Sequence, residues 1–310
     1  MRAILLVCLA ALLPAAPPAA RRQVLRVPVS VQGEQGQTGA ALARDAVSVK
    51  LSGVGAQPAG LLGAGDDLAL LVVADMAGDI TLAELAKKAL VDRVEGLPPN
   101  TLVGLLRAQD GLRVLVDPTG DRAATKSAIE KLPVSGRAGL LESIEKAAEV
   151  GDAVVTRAAV RLAVLFITDS DVGNYREDFT NPTINWSDSG DMSRRFRDGL
   201  VRERISRLDQ ALSMTETPVF IVHLTYRTDT LNQAYQTGLM TLAATTGGTS
   251  YFCRSQSEVS DAVSKAFDSI TSQYSLIVPL PKESPKVVDV TLESPGRSLS
   301  WRARFTLAGN

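Results

Sequence analysis

Two stretches of this chain each end an apolar run on an aspartate. Leu68–Asp79 reads LALLVVADMAGD, and Arg161–Asp171 reads RLAVLFITDSD. Asp75 closes the first run and Asp169 the second, each in a turn of small or polar residues. In an open parallel sheet, ligands bind outside the carboxyl ends of the strands. Two buried strands that bring Asp75, Asp79 and Asp169 to that edge would gather three carboxylates. Such a set suits a hard divalent cation such as Mg²⁺ or Ca²⁺. Aspartate is also favoured at helix N-caps and turns, so Asp75 and Asp169 read equally as residues that tie strand–helix junctions.

Other chemistry is sparsely supplied. The single histidine, His223, lies in the apolar run PVFIVHL and reads as a structural residue at a strand end. Cys8 falls in an N-terminal apolar run, which leaves Cys253, beside Tyr251 and Phe252, as a small buried hydrophobe. One histidine, and one cysteine once the N-terminal segment is cleaved, all but exclude Cys/His catalysis and Cys/His zinc sites. Neither a G-x-S-x-G elbow nor a phosphate-binding P-loop occurs. Gly247-Gly248 follows a helical pattern and reads as its C-cap. Ser170–Met192 exceeds the ordinary length of a strand-to-helix loop, and loops of that length are commonly functional. It carries Asp171, Asp178 and Trp186, of which Trp186 is a natural binding anchor. The arginines from Arg194 to Arg207 read as a solvated helix face.

The elements that must position these residues follow from periodicity. Gln23–Ser30 and Ala46–Leu51 alternate like half-buried strands, and Gly53–Gly65 reads as a connector. Leu68–Ala74, Arg161–Thr168 and Pro218–Leu224 are continuous apolar runs, as in strands buried on both faces. Helical patterns lie between them, at Leu82–Val94, Asp121–Lys131, Leu140–Val150, Ser193–Met214, Leu231–Thr245 and Ser257–Ser272. Thr101–Leu106 and Leu112–Val116 read as strands joined by an Asp110-Gly111 turn. Strands alternating with helices predict an α/β fold, an open, mostly parallel sheet with helices on both faces. The tail, Tyr274–Pro279, Val287–Glu293 and Ser300–Leu307, alternates without helices. It predicts a small antiparallel β module made with the N-terminal strands. The division is residues 1–20 as a signal peptide, 21–65 as N-terminal strands, 66–273 as the α/β domain and 274–310 as C-terminal strands.

Composition bounds the partners. With 33 basic and 34 acidic residues and 5% aromatics, the chain offers no basic surface for nucleic acid and few stacking platforms. Arg2, the apolar Ala3–Leu13 and the small-residue segment Pro14–Ala20 have the order of a secretory signal. The expectation is export to the periplasm or the extracellular space, with no membrane anchor after cleavage.

In order and spacing, these pieces resemble the von Willebrand factor type A (VWA) domain, and more closely the secreted bacterial VWFA-related proteins of the acidobacterial type. The resemblance covers most of the chain after residue 20. It is carried by the Asp75 strand, VDPTGD at Val116–Asp121 and GLLESIEKA at Gly139–Ala147. FITDSD at Phe166–Asp171, LAATTGGTSYF at Leu242–Phe252 and WRARF at Trp301–Phe305 complete it. It implies a Rossmann-like sheet and a protein-binding, non-enzymatic function. It also implies a metal-ion-dependent adhesion site built from Asp-x-Ser-x-Ser, a threonine and a strand-end aspartate. Here that site is degenerate. Ala77 and Asp79 stand at the serine positions, Ala138 at the threonine position, and Ser170 replaces the glycine after Asp169. Asp75, Asp79 and Asp169 are the remaining candidate metal ligands, and Asp171 and Trp186 are candidate partner contacts. No cofactor is certain. The expected function is an adhesion or scaffold module for a protein partner. The alternatives are a structural component of an envelope assembly with a vestigial site and, less favoured, a metal-dependent hydrolase.

Overall fold

The computed structural model describes residues 24–32, 41–175 and 190–307, with the backbone alone for 190–198. The expected signal segment, Asp178 and Trp186 lie outside the described residues. Four strands come first, β1 (Val24–Gln32), β2 (Ser48–Leu51), β3 (Val54–Ala56) and β4 (Gly60–Leu62). The stretch expected to be a connector thus contains β3 and β4. Its glycines allow the turns, and its few apolar residues hid the pairing.

The α/β region then runs through β5 (Leu68–Asp75), α1 (Ile80–Glu95), β6 (Thr101–Arg107), β7 (Arg113–Thr119), α2 (Arg122–Glu130) and α3 (Leu140–Arg157). It continues with β8 (Arg161–Thr168), α4 (Gly190–Leu212), β9 (Val219–His223), α5 (Thr230–Thr246), β10 (Ser250–Phe252) and α6 (Val259–Ser272). One six-stranded sheet forms in the order β10-β9-β8-β5-β6-β7. Every neighbouring pair is parallel except β6 and β7. The β6–β7 turn places Asp110 and Gly111 at φ of 56° and 98°, a conformation that Asp-Gly tolerates.

Every residue of β5 and β8 is buried, because helices cover both faces of the sheet. Leu68, Leu70, Val72 and Ala74 pack toward residues of α1 and α6. Ala69, Leu71 and Val73 pack toward residues of α3, α4 and α5. A period of two on an all-apolar strand is therefore used on both sides. The helices are punctuated by local chemistry. Asp79, Asp121 and Asp229 cap the N-termini of α1, α2 and α5 through their side chains, and Gly247 ends α5 in the left-handed conformation at φ 85°.

The tail supplies β11 (Tyr274–Pro279), β12 (Val287–Glu293), β13 (Ser298–Trp301) and β14 (Arg304–Thr306). As the alternation predicts, these strands pair with the N-terminal ones, in two four-stranded sheets ordered β13-β1-β11-β4 and β14-β12-β2-β3. Val27, Val29, Val49, Leu51, Val290 and Phe305 are among the residues that close a core with Leu276. The stretch expected to be one strand at Ser300–Leu307 is split. β13 pairs with β1 and β14 with β12, so the chain changes sheets at Arg302-Ala303. Among the described residues no helix is long and apolar enough to cross a membrane.

Candidate functional site at the carboxyl edge of the parallel strands

The sheet order reverses between β5 and β8. From β5 the chain goes on to β6 on one side, and from β8 to β9 on the other. Such a switch point leaves a crevice at the strands' carboxyl ends. The register sets Asp75 beside Thr168 and Thr168 beside His223, so the turns after all three strands meet there.

Asp169 is 7% exposed and binds the turn after β5. Its Oδ1 accepts from the Ala77 N–H, and its Oδ2 from the N–H groups of Gly78 and Asp79, all at 2.8 Å. A Cβ at Gly78 would lie in ordinary contact with Asp169 Oδ2, at 3.4 Å. Asp75 is fully buried. Its Oδ1 accepts from the Gly139 N–H at 2.8 Å, and its Oδ2 from the Thr168 hydroxyl at 2.9 Å. Gly139 must be a glycine here, because a Cβ would sit 2.1 Å from the Ala108 carbonyl oxygen. Burial above all, with the nearby Asp169 adding to it, pushes the Asp75 carboxyl up to about 6; the Gly139, Thr168 and Ser170 hydrogen bonds pull the other way. Neither Asp75 nor Asp169 is itself an N-cap. Asp169 gathers the turn that leads into α1, and Asp75 holds the residue that precedes α3.

Asp79 is exposed and differently employed. Its Oδ1 accepts from the N–H groups of Thr81 at 2.8 Å and Leu82 at 3.0 Å, which caps α1. Ala138 is 3% exposed and packs in the apolar cluster beneath α3 and α5, with Ala77 against the same cluster. The three candidate ligands do not come together as a cation cage. Among the described residues no group of three or more His, Cys, Asp or Glu could hold a metal ion. Ligand oxygens are engaged by donors, and methyls occupy two positions where hydroxyls are expected. The residues present do not fit a resident cation.

Sequence reasoning missed a buried hydroxyl chain behind Asp75. Ser170 Oγ lies 2.6 Å from Thr168 Oγ1 and 2.9 Å from the Tyr235 hydroxyl. The Tyr175 hydroxyl accepts from the Leu141 N–H at 3.3 Å. Burial pushes both phenols up, so they stay neutral. His223 is 1% exposed. Its Nδ1 accepts from the Thr225 N–H at 3.3 Å, which leaves Nε2 to donate to the Ser170 carbonyl at 2.7 Å. Burial lowers its basicity, and it is a neutral structural residue. No sequence pattern joins residues 75, 168, 170, 175 and 235; only the topology does.

Asp171 is held in place too. It pairs with Arg227 at 2.8 Å, and its Oδ1 accepts from the Gly173 N–H at 2.8 Å. Toward β10 the same edge presents an exposed group that the sequence did not suggest. Tyr226 follows β9, is 39% exposed and packs edge-on to Phe252 at 6.2 Å. The Arg254 guanidinium lies 5.7 Å from the centre of the Tyr226 ring. Arg227 and Arg254 are both exposed.

No protein-family model matches this sequence. No curated protein matches it either. Solved structures do. The chain is similar to a von Willebrand factor type A protein from Catenulispora acidiphila, with 11% identity over 93% of this chain and 74% of that one, TM-score 0.47. It is similar to the SpRpn10 VWA domain, with 13% identity over 64% of this chain and 94% of that one, TM-score 0.39. A third likeness is to proximal thread matrix protein 1 from the mussel byssus, in a structure with zinc in its MIDAS motif. The identity is 15% over 72% of this chain and 50% of that one, TM-score 0.44.

Proposed function

We propose that this chain is an exported, non-enzymatic protein-binding module that meets its partner with the carboxyl edge of the parallel strands, without a resident cation. One observation carries the reading. The acids of that edge are satisfied within the protein, while Tyr226, Arg227 and Arg254 face solvent beside them. Tyrosine and arginine are the residue types that dominate binding hot spots. The ion pair with Asp171 orients Arg227, and the Phe252 ring packs against Tyr226.

The non-enzymatic part is supported by the state of the nucleophiles and bases. His223 has both ring nitrogens engaged. Burial pushes the Cys253 thiol up to about 11, so it is not a thiolate near neutrality. Export rests on the signal-like order of residues 1–20.

The test uses the immobilised chain, begun at residue 21, against an envelope extract of the source organism. It is run with and without EDTA, beside the double variant Tyr226→Ala/Arg254→Ala. The expected result is a polypeptide retained in EDTA whose affinity falls about tenfold or more in the double variant. Capture that EDTA abolishes refutes the metal-independent reading. Equal capture by the double variant removes the edge as the contact and favours a structural envelope component that binds through its β module.

A further inference from the structure

Two loops of the carboxyl edge, 224–229 after β9 and 253–258 after β10, carry a cation that the rest of the chain leaves unused. The Tyr226 N–H donates to the Cys253 carbonyl at 2.8 Å, which ties the two loops together. The Arg254 N–H donates to a Glu258 carboxylate oxygen at 2.8 Å, which closes the second loop on itself. A row of rings then runs outward from the core. His223 is 1% exposed and stacks on Phe252 at 5.4 Å. Phe252 meets Tyr226 edge-on, and the Arg254 guanidinium lies over the Tyr226 ring. An exposed arginine is thus seated on a bed that reaches back to a buried residue.

Charge alone does not set this patch apart. Arg227 and Arg254 have Asp171, Asp229 and Glu258 as neighbours, so positive charge is not in excess. The acids, however, are all engaged within the chain. Asp171 pairs with Arg227 and accepts from the Gly173 N–H. Asp229 accepts from the Asn232 N–H at 3.1 Å and from its Nδ2 at 2.8 Å. Glu258 is taken by the Arg254 backbone. The Arg254 guanidinium donors find no acceptor and no ion pair among the described residues, and the Tyr226 hydroxyl makes no hydrogen bond there.

We propose that Arg254 and Tyr226 hold a carboxylate of the protein partner, from an aspartate or glutamate side chain; this rests on the carboxyl edge being the partner face. The ligand class follows from the donors. A guanidinium offers two parallel N–H groups that match the two oxygens of a carboxylate. Stacking on Tyr226 fixes the plane of that fork, so little freedom is left to lose when the acid arrives. The Tyr226 hydroxyl is a further donor beside it. Lysine at position 254 would keep the charge and lose both the fork and the stacking.

The test is an NMR titration of the full, isotope-labelled chain with the peptide acetyl-Asp-Asp-Asp-Asp-amide, beside its all-asparagine twin and inorganic phosphate. The acidic peptide is expected to shift the Arg254 Nε–H signal and the amides of Tyr226 and Arg227, saturating with a Kd on the order of 1 mM. Affinity should fall about fivefold in Arg254→Lys and about tenfold or more in Arg254→Gln, while the asparagine peptide leaves these signals in place. Position 254 is exposed, so both variants keep the fold. No shift at these groups, shifts confined to the arginines of α4, or equal binding by Arg254→Gln overturns the proposal. Phosphate acting on the same signals more tightly than the peptide overturns the carboxylate in favour of a phosphoryl group. If capture from the envelope extract depends on Tyr226 and Arg254 while the acidic peptide does not bind, the carboxylate is overturned and the edge stands.

Discussion

Replacing Asp169 by alanine distinguishes an internally bonded acid from a metal ligand by the sign of its effect. Asp169→Ala removes the acceptor for three backbone N–H groups, each at 2.8 Å. A hydrogen bond to a charged group contributes about 1.5–3 kcal/mol, so three would sum to roughly 6. Gly78 and Asp79 are exposed, and water can take over their N–H groups, whereas Ala77 is only half-exposed. The expected loss is therefore about 3 kcal/mol, with the melting point lowered by about 6–12 °C. The assay is urea denaturation of the full chain in EDTA, followed by circular dichroism. Asp79→Ala in parallel should cost only about 1 kcal/mol, the value of an N-cap. If Asp75, Asp79 and Asp169 formed an empty cation cage, removing one carboxylate would relieve repulsion and raise stability in EDTA. A variant as stable as the wild type, or more stable, shows that these hydrogen bonds do not hold the turn.

The buried Asp75 predicts a pH dependence. Its folded value, about 6, is above the ordinary 3.8. Its contribution to stability is therefore complete below about pH 4 and is lost as pH rises through about 6, on the order of 3 kcal/mol in all. Asp75→Asn should remove that slope, so that the variant compares better with the wild type at about pH 7.5 than at about pH 4.5 in urea titrations; an unchanged slope would show that Asp75 is not its source. Isothermal titration of the chelator-treated chain with Mg²⁺, Ca²⁺ and Mn²⁺ should give no saturable heat. Saturable binding that disappears in Asp169→Ala would restore the cation reading.

The sheet was legible because its strands are buried on both faces. Leu68–Ala74 and Arg161–Thr168 must be apolar throughout, and few other folds write strands that way. The sandwich was legible where one face is wet, as in β12, where buried Val288, Val290 and Leu292 alternate with exposed residues. It was not legible in β3 and β4, three residues each, too short for a period to show. The positions of Asp75, Asp79 and Asp169 could be read, but not their partners. A side chain that accepts from backbone N–H groups leaves no mark on the sequence of its donors, beyond the room that Gly139 provides. Tyr226 and Arg254 were missed because they meet only when β9 and β10 pair.

The alanines at positions 77 and 138 and the hydrogen bonds of the two aspartates have one explanation. The resemblance implies a cation that neutralises strand-end carboxylates and fixes the turns around them. At this edge the same two tasks fall to fixed donors. Three amide N–H groups face Asp169, and an amide and a hydroxyl face Asp75. Partial positive charges on oriented amides stabilise an anion as a cation would, with no dissociation when chelator is added. Asp75 carries the residual cost, since one amide and one hydroxyl do not offset full burial of its charge, and its raised value reflects that. The methyls of Ala77 and Ala138 fit the same account. Serine or threonine there would bring a hydroxyl toward the apolar cluster that both residues now join. Introducing hydroxyls with Ala77→Ser, Asp79→Ser and Ala138→Thr together therefore tests whether added oxygen ligands would suffice to hold a cation. Because Asp169 is already committed to the 77–79 amides, the triple variant should lose stability without gaining saturable cation binding, and calorimetric binding of Mg²⁺ by that variant would contradict this account.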